Sequence, residues 1–100
     1  MPSYCLTNAA VNDLREIVSY TLSEWGQEQV VRYRDRLEAR LKLLAELPGV
    51  GRANPNLPDD VLYVVEGKHY VFYRITDNGI EVLRFLHVRM DLLRHLTDLL

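Results

Sequence analysis

Cysteine occurs once, as Cys5, so the chain cannot close an intramolecular disulfide and offers no cysteine cluster for zinc or iron. That sparing use fits a reducing compartment. Long apolar runs are missing as well. No stretch approaches the roughly 18–20 uninterrupted apolar residues that span a bilayer. Met1-Pro-Ser-Tyr-Cys has neither a basic n-region nor an apolar h-region. A cytoplasmic protein without membrane attachment is the expectation. Excess positive charge is also lacking, with 12 basic against 14 acidic side chains and a formal charge of -2. Non-specific nucleic-acid binders concentrate cations against phosphates, so no stable direct nucleic-acid binding is expected. The Gly-x-Gly-x-x-Gly, phosphate-loop and His-Glu-x-x-His patterns do not occur, and no cofactor or metal is expected.

What is present suits a single α+β domain over residues 1–100, long enough for one modest core. Tyr4-Cys5-Leu6-Thr7 reads as a short strand, and Thr7 or Asn8 can cap a helix behind it. Ala10, Leu14, Ile17, Thr21 and Trp25 then recur at helical spacing, with Val18 widening the stripe, until Gly26 interrupts. Val30, Tyr33, Leu37, Leu41 and Leu44 form a second stripe. Glu28 with Arg32 and Glu38 with Lys42 pair across one turn of its wet side. Two helices parted by one glycine predict an antiparallel hairpin. Pro48-Gly49 ends the second helix, because proline lacks an amide hydrogen and glycine accepts left-handed dihedrals.

From Val61 the period becomes extended. Val61–Val65, His69–Ile75 and Ile80–Val88 predict three strands, joined by turns at Glu66-Gly67-Lys68 and Asp77-Asn78-Gly79. Strict alternation across the second turn puts Tyr70, Phe72, Arg74, Glu81, Leu83 and Phe85 on one face. Val71, Tyr73, Ile75, Ile80, Val82, Arg84 and Leu86 fall on the other. Both faces are mostly apolar, so the C-terminal segment or another chain should cover the one the helices leave open. Leu92, Leu93, Leu96, Leu99 and Leu100 suggest a short helical tail.

Candidate chemistry is thin. His69, His87 and His95 titrate near neutrality, but their spacing demands no metal site. The simpler expectation is two histidines at sheet edges and one in the tail. Arg84, Arg89 and Arg94 gather near a strand end, where arginine can grip phosphate or carboxylate. Equally, Arg89 and Asp91 can simply cap the strand-to-tail junction. Asp59-Asp60 reads as a solvated turn rather than an acid–base pair.

The order of these features resembles one family. Thr7-Asn8-Ala9-Ala10, Asp13-Leu14 and Ile17, then Trp25-Gly26 and Pro48-Gly49-Val50-Gly51, are similar to the front half of ParE toxins of the RelE/ParE superfamily. Val71-Phe72-Tyr73-Arg74-Ile75, Asp77-Asn78-Gly79, Leu86-His87-Val88-Arg89-Met90-Asp91 and Arg94-His95-Leu96 continue the likeness to the C-terminal end. The resemblance implies a two-helix hairpin packed on a curved, mostly antiparallel sheet. It also implies the toxin of a type II toxin–antitoxin module, neutralised in a hetero-oligomer by a ParD-like antitoxin and directed at DNA gyrase. No catalytic residue follows from it, because a binding inhibitor need perform no chemistry. The related RelE branch cleaves messenger RNA at the ribosome using basic residues of its central strands. Here Val61 to Val65 carries no basic residue, which favours the ParE branch. By position, His87, Arg89, Met90, Asp91, Arg94 and His95 are expected to face the target. Tyr70, Phe72, Arg74, Arg84, Phe85 and Arg89 are expected to meet the antitoxin.

Overall fold

The computed structural model describes residues 2–90. The suggested helical tail and the expected target-facing residues Asp91, Arg94 and His95 lie outside the described residues. The chain runs β1 (Ser3–Leu6), α1 (Asn8–Trp25), α2 (Gln27–Glu46), a 3-10 turn at Pro48–Val50, β2 (Val61–Glu66), β3 (His69–Thr76) and β4 (Gly79–His87). The described residues form one sheet ordered β1-β4-β3-β2, with β1 parallel to β4 and the other neighbours antiparallel. The helical hairpin packs against one face. This is the α+β arrangement expected.

Thr7 explains where α1 begins. Its hydroxyl accepts from the Ala10 N–H at 3.1 Å, satisfying an amide that has no partner within the helix. The same hydroxyl donates to the Leu83 carbonyl at 2.8 Å, so the cap also fastens α1 to β4. Gly26 separates the helices at φ 86°, a dihedral costly for any residue with a Cβ. Between the layers lie Ala10, Leu37, Leu41, Leu44 and Ala45 from the helices, against Val64, Val71, Tyr73, Ile80, Val82 and Phe85 from the sheet. Tyr73 is fully buried and donates its hydroxyl proton to the Pro48 carbonyl at 2.6 Å.

One expectation is corrected, and two further features add to what periodicity shows. Strict alternation fails in β4, because Phe72 pairs with Arg84 while Tyr73 pairs with Val82, which leaves Leu83 unmatched. Such a bulge turns consecutive side chains to one side. Arg84 and Phe85 therefore both point toward the helices, and Leu86 joins Leu83 and Phe72 on the opposite face. Secondly, the opposite face carries a contact that periodicity did not reveal: Leu57, from the loop after α2, packs with Val61, Phe72, Leu83 and Leu86, while the expected cover by the C-terminal segment lies outside the described residues. Thirdly, the β3–β4 turn is centred on Asp77-Asn78, both at negative φ, and Gly79 opens β4 at φ 142°. Glycine is required there because a Cβ would run into the Ser3 carbonyl oxygen of β1.

Candidate functional site

A groove of about 800 Å³ opens where the hairpin tip overhangs the ends of β3 and β4. Its helical wall carries Ile17, Tyr20 and Trp25 from α1, with Tyr33 and Arg36 from α2. Its sheet wall carries Lys68, His69, Phe85, His87, Arg89 and Met90. Trp25, the last residue of the α1 stripe, is 66% exposed and nearby Tyr20 is 63% exposed, so the stripe leaves the core before it ends. The sheet beneath is too short to meet it: β1 pairs with β4 only from Gly79 to Val82. Beyond that point β4 has no strand neighbour on this side among the described residues, and the groove runs along that edge.

Asp13 secures that edge. One carboxylate oxygen accepts from Arg84 Nε at 2.6 Å and from the Phe85 N–H at 3.0 Å; the other accepts from Arg84 Nη2 at 2.9 Å. A single α1 residue thus satisfies both the guanidinium and the backbone amide that the bulge turns outward. The hydrogen bonds to Asp13 hold the Arg84 pKa above its ordinary value.

Across the groove, Tyr33 joins α2 to the β2–β3 turn. Its hydroxyl lies 2.8 Å from the Glu66 carbonyl and 2.6 Å from His69 Nδ1. The carbonyl can only accept, so the arrangement that satisfies both contacts has Tyr33 donating to Glu66 and His69 Nδ1–H donating to Tyr33. His69 Nε2 then carries the lone pair. The His69 ring meets His87 edge-on, with centroids 5.3 Å apart. The Arg89 N–H donates to His87 Nδ1 at 3.1 Å, which assigns the His87 proton to Nε2. Burial, then the neighbouring His87 and Lys68, push the His69 pKa down to about 4. Burial likewise raises the Tyr33 pKa.

The structure divides the residues singled out from sequence. His87, Arg89 and Met90 line the groove together. Of the set assigned to an antitoxin, Arg84, Phe85 and Arg89 are also here. Phe72 lies in the cluster on the opposite face with Tyr70 packed against it. Arg74 sits at the far end of β3, paired to Glu81 at 2.7 Å. That set therefore does not form one surface. From sequence, Tyr33 and Trp25 stand only in the apolar helical stripes, and His69 and His87 only as sheet-edge residues. The available signal was that the α1 stripe continues to Trp25 although the strand before it has only four residues. Among the described residues no cluster of histidine, cysteine and acidic side chains could hold a metal ion, and no helix is long and apolar enough to cross a membrane.

The fold matches a solved chain titled as the chromosomal ParDE TA system from P. aeruginosa, with a TM-score of 0.71 over 87% of this chain and 96% of that one. At 20% identity, that likeness defines a class of α+β architecture and no more. Sequence carries the assignment further. Residues 4–92 match the family model described as ParE toxin of type II toxin-antitoxin system, parDE, and the chain belongs to that family. It is 36% identical over 96 residues to Toxin ParE1 of Caulobacter vibrioides, covering 96% of this chain and 99% of that one. Toxin ParE1 of Mycobacterium tuberculosis is 37% identical over 94 residues, with 93% and 96% covered. Toxin ParE of Escherichia coli is 38% identical over 100 residues, with 98% and 96% covered.

Proposed function

We propose that this toxin acts by binding DNA gyrase, and that a ParD-like antitoxin neutralises it in the cytoplasm by laying an amphipathic segment in the groove. The observation that carries the antitoxin reading is the exposed Tyr20 and Trp25 beside the cationic strand ends at Lys68 and Arg89. Large aromatics left in water next to positive charge that no described acid pairs suit a segment with apolar anchors and acidic flanks. Such a segment would cover His87, Arg89 and Met90, the described part of the surface assigned to the target. Binding and neutralisation would then be one event. Asp91, Arg94 and His95, which the family resemblance also assigns to the target, lie outside the described residues.

Action by binding rather than by RNA cleavage is favoured by the state of the strand arginines. Arg74 is tied to Glu81 and Arg84 to Asp13. Cleavage of RelE type needs cations available to the developing phosphate charge. Inducing the chain in bacteria separates the two modes. Protein-linked chromosome breaks should appear first; codon-phased messenger fragments preceding any DNA damage would transfer the assignment to a ribosome-dependent nuclease. Arg89→Ala should weaken inhibition of purified gyrase while leaving thermal melting nearly unchanged, as an exposed substitution usually does.

A further inference from the structure

The sheet wall of the groove holds two imidazoles in contact, His69 and His87, with Lys68 beside them and Arg89 one turn on. Two of the nearby acids are engaged among the described residues. Glu66 pairs with Arg36 at 2.9 Å on the α2 side, and Asp13 holds Arg84 on the α1 side. Glu16 of α1 also lines the groove, on its helical wall. Neither Lys68 nor Arg89 has an ion-pair partner among the described residues. The Tyr33 hydroxyl fixes one nitrogen of His69, and no described group meets the other. A cation-rich wall therefore contains a half-buried base with a lone pair that no described group uses.

We propose that this wall is a carboxylate subsite: an acidic side chain of the antitoxin segment seats against Lys68 and the His69–His87 pair, and His69 Nε2 takes up a proton from solvent as it does. The inference rests on the groove being where the antitoxin lies, and adds the chemistry of the contact and its proton linkage. In the toxin alone, burial, then the neighbouring His87 and Lys68, keep His69 neutral through the physiological range. An incoming carboxylate reverses the balance, since an opposite charge within about 4–6 Å favours the charged imidazole. The charge-assisted hydrogen bond so formed is roughly twice as strong as a neutral one. His87 Nε2–H supplies a second donor to the same carboxylate. Binding then consumes a proton, and affinity rises as pH falls.

Calorimetric titration of the intact toxin with a separately purified ParD-like antitoxin, in buffers of different ionisation heat, counts that proton directly. Between pH 8 and pH 6 the affinity should increase about tenfold, with a binding heat that changes with the buffer. His69→Gln should abolish the proton uptake. Because that substitution also disturbs Tyr33, His87→Gln supplies an independent check and should reduce the uptake. Lys68→Gln should weaken binding at every pH while the proton count stays. Tight binding with a buffer-independent heat, or uptake that survives His69→Gln in the folded protein, would overturn the inference and leave the antitoxin groove standing. Absence of any binding would sink the groove reading itself and this inference with it.

Discussion

At the base of the helical hairpin Ala10 and Leu44 are fully buried against Val82 and Tyr73, whereas at its tip Tyr20 and Trp25 stand mostly in water. The same two helices, with the same apolar periodicity, make both regions. What differs is the surface they face. At the base they meet β1 paired to the first half of β4, and small and branched side chains close the gap. At the tip β1 has ended, the bulge has turned β4, and the facing groups are Lys68, His69 and His87. An apolar stripe buries itself only as far as a matching surface extends, and its remainder is available to a partner. The base holds the fold; the tip presents the groove.

The sharpest way to break this comparison is to cut side chains at the base. Leu44→Ala or Leu41→Ala should cost about 2–5 kcal/mol, combining lost transfer energy with an incompletely collapsed cavity. Urea unfolding followed by far-UV circular dichroism would show a lower midpoint at an unchanged slope. A cost below roughly 1 kcal/mol would mean that the base is not packed as described.

Next comes the junction between the two regions. Asp13→Ala leaves the Arg84 guanidinium and the Phe85 N–H without their acceptor, and should cost roughly 3 kcal/mol. Arg84→Ala should cost less, about 1–2 kcal/mol, because Asp13 keeps its bond to the Phe85 amide. Equal losses would show that the backbone contact at the bulge contributes nothing. A double-mutant cycle on the two side chains isolates their pairing from that amide.

A smaller effect appears with pH. His69 titrates near 6.5 in the unfolded chain and at about 4 in the fold, so between those values the unfolded state binds the extra proton. Stability is therefore complete above about pH 6.5, declines as pH falls toward 4, and levels off below. Solvent reaches the half-exposed ring and screens the charge, which keeps the loss to roughly 1 kcal/mol. His69→Gln should flatten that part of the melting-temperature profile. An unchanged slope would assign the pH dependence to other groups.

Much of the scaffold was legible because it is locally encoded. Thr7, Gly26, Pro48 and Gly67 each act on their own stretch of backbone, and the helical and extended periods are clear between them. The groove was not, because it depends on one extra residue. Alternation counted through Leu83 assigns Phe85 and Leu86 to the wrong faces, and no local pattern marks the bulge. Its fastening to Asp13 joins positions 71 residues apart. The contact between His69 and His87 likewise arises from strand register, which neither histidine announces. Family resemblance supplied the architecture and the class of partner, whereas strict alternation put Tyr70, Phe72 and Phe85 on one face that the bulge divides.

The smallest expected change in stability is the one that most sharpens the contrast. Trp25→Ala removes the largest side chain in the protein from a site already 66% exposed, so little burial is lost and no cavity forms. The fold should change by no more than about 0.5 kcal/mol, within the range of ordinary surface substitutions. If the groove holds an antitoxin segment, the same indole becomes a central anchor in the complex, where truncating a tryptophan commonly costs 2 kcal/mol or more, about thirtyfold in affinity. Leu41→Ala should show the opposite ratio, with a large loss of stability and little change in affinity of the protein that remains folded. Parallel unfolding and titration measurements on the two variants would therefore give crossed results. A Trp25→Ala toxin that binds its antitoxin as tightly as before would place the partner elsewhere, with the face of Tyr63, Tyr70 and Phe72 as the next surface to test.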